Sequence, residues 1–148
     1  MRCKDAMKTG IEAFRMDDPV HVIAMRMRDV GMEFVPVCDD AGRPVGVVTD
    51  FDIVRAVCAG DLQPSKVPAR DVMEIHPITC FDSDDVDRAE ELMNETHKPR
   101  ILVCEERTGR LLGALTLADM LRAEGEDARA AEVARQVVEH EYQEQEQA

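Results

Sequence analysis

Gly46-Val47-Val48-Thr49-Asp50-Phe51-Asp52-Ile53-Val54-Arg55 recurs later in the chain as Gly113-Ala114-Leu115-Thr116-Leu117-Ala118-Asp119-Met120-Leu121-Arg122. Both stretches read Gly-x-x-Thr-x-x-Asp-x-x-Arg, which marks an internal duplication. In each, a short apolar run ending in a hydroxyl predicts a strand that passes directly into a helix. Thr is placed as the N-cap and Asp, three residues on, as the acid of a capping box. Such a helix start also gathers free N–H groups and a hydroxyl at a strand end, a natural seat for phosphate or ribose. Arg55 and Arg122 fall three residues after the motif acids, where helical ion pairs with Asp52 and Asp119 are expected.

The duplication extends backwards. Asp5-Ala6-Met7 matches Asp71-Val72-Met73, and Val37-Cys38 matches Val103-Cys104 at the same interval. Between Cys38 and Gly46 the interval grows by one residue, because Asp39-Asp40-Ala41-Gly42 faces the longer Glu105-Glu106-Arg107-Thr108-Gly109. Turns tolerate such insertions.

Between these anchors each repeat reads β-α-β-β-α. In the first, a strand is expected over Ile11–Phe14. A helix follows, announced by Asp17-Asp18-Pro19 as acidic cap and first-turn proline, striped by Val20, Ile23, Ala24 and Met27, and closed by Gly31. Strands at Phe34–Cys38 and Pro44–Val48 then deliver Thr49, and the helix from Asp50 ends near Gly60. The second repeat replays this order: a strand at Ile78–Phe81, a helix from about Asp84 to Glu95 with Val86, Ala89 and Met93 on one face, a strand at Ile101–Cys104, then strand and helix over Leu111–Ala123. The expected organisation is repeat 1 over 1–60, a Pro64- and Pro68-bearing connector over 61–69, repeat 2 over 70–123, and an acidic tail over 124–148. Ala134, Val138 and Tyr142, four apart in the tail, predict a helix that frays by Gln143 and docks on the body or on a second subunit.

Composition narrows the function. With 148 residues, each repeat of about 60 would be marginal alone, so the two are expected to share an interface. A formal net charge of −13 argues against nucleic acid and anionic membrane as partners, and means that an anionic ligand needs local cations. No apolar run reaches transmembrane length and Met1-Arg2-Cys3-Lys4-Asp5 lacks a signal-peptide core, so a cytoplasmic protein is expected. Five cysteines with no Cys-x-x-Cys pair argue against a disulfide framework or a metal site, and Cys38 and Cys104 read as small buried hydrophobes.

Taken together, the paired Asp-x-Met starts, Val35-Pro36-Val37 with Gly42, and the two Gly-x-x-Thr-x-x-Asp segments resemble a tandem of cystathionine β-synthase (CBS) domains, the Bateman module, over about residues 5–123. The resemblance implies a mixed α/β fold in which two β-α-β-β-α repeats pack with pseudo-two-fold symmetry and leave two clefts between them. Such clefts often take adenine-containing ligands: AMP, ADP, ATP, NAD(H) or S-adenosylmethionine. It further implies homodimerisation into a flat disc. By position, Thr49 with Asp52 and Thr116 with Asp119 would hold ribose hydroxyls. Ile11, Ala13, Ile78 and Thr79, with Phe34-Val35-Pro36 and Arg100-Ile101, would border the base. Arg100 is the best phosphate contact, since its guanidinium offers forked donors. The repeats differ here: Lys98-Pro99-Arg100 stands where the first has Met32-Glu33-Phe34, which favours the cleft bordered by Arg100 for a phosphate.

Two functions are thus open. One is a regulatory module that binds an adenine nucleotide or adenosyl ligand and acts on a separate effector protein by shifting between two arrangements. The other is a structural, dimerisation or protein-interaction module in which Thr and Asp only cap helices. An enzyme is not expected. His21, His76, His97 and His140 show no nucleophile or acid at a catalytic spacing, there is no Gly-rich phosphate loop, and no cofactor is called for.

Overall fold

The computed structural model describes residues 1–124, 133, 135–140 and 143–144. Its elements, in chain order, are α1 (Cys3–Ala6), β1 (Phe14–Arg15), α2 (Val20–Val30), β2 (Phe34–Cys38), β3 (Pro44–Thr49), α3 (Asp50–Ile53), β4 (Glu74–Ile75), β5 (Thr79–Phe81), α4 (Val86–Thr96), β6 (Arg100–Cys104), β7 (Leu111–Thr116) and α5 (Leu117–Glu124). The β-α-β-β-α order appears twice, as β1-α2-β2-β3-α3 and β5-α4-β6-β7-α5. The fold is mixed α and β, with two small sheets.

The chain divides into two compact units. The Thr49 unit comprises Ile11–Pro77 with Gly109–Leu111, and the Thr116 unit comprises Met1–Gly10, Ile78–Thr108 and Leu112–Ala148. Each unit therefore combines the motif strand of one repeat with the Asp-x-Met segment that opens the other.

In the Thr49 unit the strand order is β1-β2-β3-β4. β1 runs parallel to β2, β2 and β3 are antiparallel with Phe34 opposite Thr49, and β4 closes the edge antiparallel to β3 with Glu74 opposite Val47. Phe14, Ile23, Met27, Val35, Val37 and Val48 form the core between α2 and the sheet. Ile23 and Met27 follow Val20 on the apolar stripe of α2, so the period-3.6 pattern does the packing here. Gly31 at φ 69° ends α2 in the left-handed conformation that glycine adopts without cost.

Three expectations for this unit change. The first strand is two residues long, and Ile11 and Ala13 lie ahead of it rather than in it. Nor does an acid cap α2: the N-cap is Pro19, the Val20 N–H donates to the Val67 carbonyl at 2.8 Å, and Asp18 accepts instead from Arg15 N–H at 2.7 Å. The connector thus does what a capping side chain would have done. The helix after Thr49 also changes character, passing from α-helical Asp50–Ile53 into a π-helical turn over Val54–Cys58.

The Thr116 unit carries the sheet β5-β6-β7, with β5 parallel to β6 through Thr79↔Leu102, Cys80↔Val103 and Phe81↔Cys104. Ile78 precedes the strand and still accepts from Leu102 N–H at 2.9 Å. The core joins Cys3, Cys80, Ala89, Met93, Ile101, Val103, Leu115 and Met120. Helix α4 starts two residues later than the acid run suggests: Asp85 is its N-cap, accepting from Asp87 N–H at 3.0 Å. Its C-cap is His97 at φ 56°, the position Gly31 occupies in the first repeat.

In the tail, Ala134 and Tyr142 lie outside the described residues, but the apolar stripe is corrected by one position. Val137 is fully buried in the Thr116-unit core with Val133 packed beside it, whereas Val138 is 42% exposed. Gln143 and Glu144 are still helical. The His140 ring stacks on His97 with centroids 3.6 Å apart. Cys3, Cys38, Cys80 and Cys104 are buried thiols, and Cys58 is exposed. Among the described residues no helix is long and apolar enough to cross a membrane.

Candidate ligand-binding motifs

Each motif begins with a glycine that a neighbouring backbone requires. A Cβ on Gly46 would stand 2.6 Å from Met73 Sδ and 2.9 Å from the Glu74 carbonyl oxygen. On Gly113 it would stand inside contact distance of the Lys8 carbonyl oxygen and 3.1 Å from Met7 Sδ. The Asp-x-Met segments therefore lie across the motif strands, and Met73-Glu74 and Met7-Lys8 hold equivalent places. Lys8 and Ala114 exchange backbone hydrogen bonds of 2.9 and 3.0 Å.

At the strand ends the two capping boxes form as the spacing predicts. Asp52 accepts from Thr49 N–H at 2.9 Å, and Thr49 Oγ1 accepts from Asp52 N–H at 3.1 Å. In the second copy the corresponding distances are 2.9 and 3.2 Å, and the Thr116 hydroxyl also donates to Asp119 at 2.8 Å. Both acids are almost fully buried, Asp52 at 1% and Asp119 at 4% exposed. Arg55 lies 3.2 Å from Asp52 Oδ1 and over the Phe51 ring, and Arg122 pairs with Asp119 Oδ1. The expected i,i+3 pairs are therefore present.

One contact was missed. Lys8 Nζ lies 3.5 Å from Asp119 Oδ1, a charge the second motif gains from a segment more than a hundred residues away in sequence. Burial would raise the Asp119 pKa. Hydrogen bonds from the Thr116 N–H and hydroxyl, helped by Lys8 and Arg122, outweigh it and hold the carboxyl below its ordinary 3.8. Matching Asp5-Ala6-Met7-Lys8 with Asp71-Val72-Met73-Glu74 was the available signal, since the match continues into the strand register.

The other predicted site residues divide by unit. Phe34, half-buried, stands opposite Thr49, and the Glu33 carbonyl accepts from Asp50 N–H at 3.0 Å. In the second unit the Pro99 carbonyl accepts from Leu117 N–H at 3.0 Å, which brings Arg100 at the start of β6 beside the start of α5. Val35 and Ile101 are core residues, buried in the two units. Pro36 is buried, Ile11 and Ile78 are half-buried, and Ala13 and Thr79 are exposed. Two recesses of about 380 and 320 Å³, one lined by Asn94, His97 and Gln136 and the other by Asp17, Ser65 and Lys66, include none of these residues. Among the described residues no cluster of His, Cys, Asp and Glu could hold a metal ion.

The chain is 31% identical over 102 residues to an uncharacterized protein, MK0525, of Methanopyrus kandleri, a match that takes in 69% of this chain and 52% of that one. The chain thus spans about half the length of that relative. It is 30% identical to the uncharacterized protein YlbB of Bacillus subtilis over 87% of its own length and 86% of YlbB. Among solved structures, the CBS domain protein PAE2072 from Pyrobaculum aerophilum, complexed with AMP, superposes with a TM-score of 0.76 at 26% identity, covering 91% of this chain and 99% of that one. The family model for the CBS domain matches residues 3–59 and again 69–126. The chain therefore belongs to the CBS domain family and carries two copies of the domain in tandem.

Proposed function

We propose that the chain is a regulatory module that binds an adenine-containing ligand, AMP, ADP, ATP, NAD(H) or S-adenosylmethionine, through ribose hydroxyls at Thr49 with Asp52 and at Thr116 with Asp119. The observation that carries this is the construction of the two motifs. Each sets a buried carboxylate and a Thr hydroxyl at a strand end; after the bonds to the cap and to arginine, Asp52 keeps two lone pairs for hydroxyl donors and Asp119 keeps one, beside Lys8. The likeness to an AMP-bound relative supports the same ligand class. Phe34-Val35-Pro36, Ile11, Ala13, Ile78, Thr79 and Ile101 border the base, and Arg100 meets a phosphate. No catalytic step is assigned to the module. A ligand acts by its unequal affinity for two states of the protein, read by a separate effector, and the working form is a cytoplasmic homodimer.

A second reading rests on exposed apolar side chains. Phe51 is 63% and Val54 54% exposed on the segment after Thr49, and Ile75 is 64% exposed on β4. A module that serves only to join protein surfaces would place them so.

Thermal unfolding with each of the five ligands separates the readings. A bound ligand at about a hundred times its dissociation constant adds about 2.7 kcal/mol, several degrees for a chain of this size. A shift with one of them, lost in D52N or D119N, is expected. No shift with any of them would leave only the interaction module.

A further inference from the structure

The two motifs differ in the charge placed around them, and the difference is systematic. Lys8, at the register position paired with Ala114, corresponds to Glu74, paired with Val47. Pro99, whose carbonyl accepts from the first amide of α5, corresponds to Glu33, and that amide belongs to Leu117 where the first motif has Asp50. Lys98 and Arg100 flank Pro99, while Met32 and Phe34 flank Glu33. Asp119 is paired with Lys8 and Arg122, and the segment whose backbone meets the start of α5 carries Lys98 and Arg100. Asp52 is paired with Arg55, its motif carries Asp50, and the segments whose backbone meets that motif carry Glu33 and Glu74. In a chain of net charge −13, the Thr116 motif is the one that gathers cations.

Resting on the proposed function above, we propose that the two motifs are selective for different ligands, and that Lys8 is the residue that makes the Thr116 motif prefer a 5′-phosphorylated adenosine. In the free protein Lys8 sits 3.5 Å from Asp119 with its side chain 63% exposed. That is a loose pair on a flexible stem, and such pairs exchange at little cost. When ribose hydroxyls donate to Asp119, the carboxylate keeps Arg122 and the Thr116 cap, and Lys8 is released to the phosphate. An ammonium meeting a dianion then replaces an ammonium meeting a carboxylate that already has other partners. At the Thr49 motif Glu74 occupies the equivalent position and repels the same phosphate. An uncharged or cationic adenosyl ligand is the class that motif accepts.

The test is isothermal titration of the full chain with AMP and with adenosine, for wild type, K8M, K8R, D52N and D119N. Met keeps the apolar stem of Lys8, and Arg keeps its charge. Wild type is expected to bind AMP roughly tenfold or more tighter than adenosine, the scale of one charge-assisted contact. K8M should lose most of that preference, keeping only what Arg100 supplies, with adenosine affinity unchanged within about twofold, while K8R retains it. D119N should remove the AMP-selective event and D52N should leave it. Equal weakening of both ligands by K8M, an unaltered preference in K8M, or loss of AMP binding in D52N alone would overturn the assignment. If wild type binds both compounds equally, the ligand-binding reading stands and this one falls; if it binds neither, this one falls and the ligand-binding reading is decided by the five-ligand unfolding experiment above.

Discussion

Gly46 and Met73 are in a relationship that no other residue at position 46 would allow: a Cβ there would come to 2.6 Å from Met73 Sδ and 2.9 Å from the Glu74 carbonyl. Gly113 stands in the same relation to Met7 and Lys8, with the Lys8 backbone the nearer obstacle. G46A and G113A should each destabilise the protein by about 1–3 kcal/mol, the usual cost of overpacking. G113A should be the worse of the two, because backbone yields less than a thioether. Urea unfolding midpoints check both. Two neutral substitutions would contradict the packing of the Asp-x-Met segments on the motif strands.

Asp119 gives stability a pH dependence of known sign. Its folded-state pKa lies below the ordinary 3.8, through hydrogen bonds and cations that overcome its burial. A depressed folded value contributes stability that is fully present above the unfolded pKa and is lost as pH falls through the folded one. Wild type should therefore lose stability more steeply than D119N from about pH 4 downward, where the linkage acts. Parallel acid limbs in denaturant titrations of the two proteins would contradict the assignment.

The thiols should react in two classes. Cys58 is exposed, and the other four are buried. Cys80 is raised further by its hydrogen bond to Cys3 and by burial, and Cys38 by burial and the charge of Asp39. Only thiolate attacks an alkylating agent. A single fast-labelling cysteine is expected in the native protein, absent in C58S, with the rest labelling on unfolding. Fast labelling of Cys80 in the native protein would contradict its placement.

The tail offers a one-residue test. Val137 is fully buried and Val138 is 42% exposed. V137A should cost about 1–3 kcal/mol, as for a buried valine, and V138A less than about 0.5. Equal effects would place the apolar stripe elsewhere.

How much of this was legible in the sequence follows the range of the interactions. The capping boxes and the Arg55 and Arg122 pairs close within three residues, so spacing alone determines them. Helix stripes such as Ile23–Met27 and Ala89–Met93 were likewise readable, because burial follows the period of the helix. What escaped depends on distant partners. Val67 supplies the carbonyl that replaces an acidic cap on α2, and the register of β1 leaves Ile11 and Ala13 outside the strand. Val137 rather than Val138 meets the core, and Lys8 reaches Asp119 only once the two are folded together. Of the candidate site, the motif pairs and Arg100 are proposed from the repeat alone. The contrast of Lys98 and Arg100 with Glu33 was readable there too; the exchange of Lys8 for Glu74 became visible only through the sheet register.

The central claim, that the buried motif carboxylates hold ribose hydroxyls, is tested most directly by thermal unfolding in AMP and in its 2′,3′-dideoxy analogue. The analogue keeps base and phosphate and lacks only the two donors. A midpoint raised by several degrees is expected with AMP at about a hundred times its dissociation constant, and almost no shift with the dideoxy compound at the same concentration. Equal stabilisation by both would show that the ribose is held elsewhere and would leave Asp52 and Asp119 as helix caps alone.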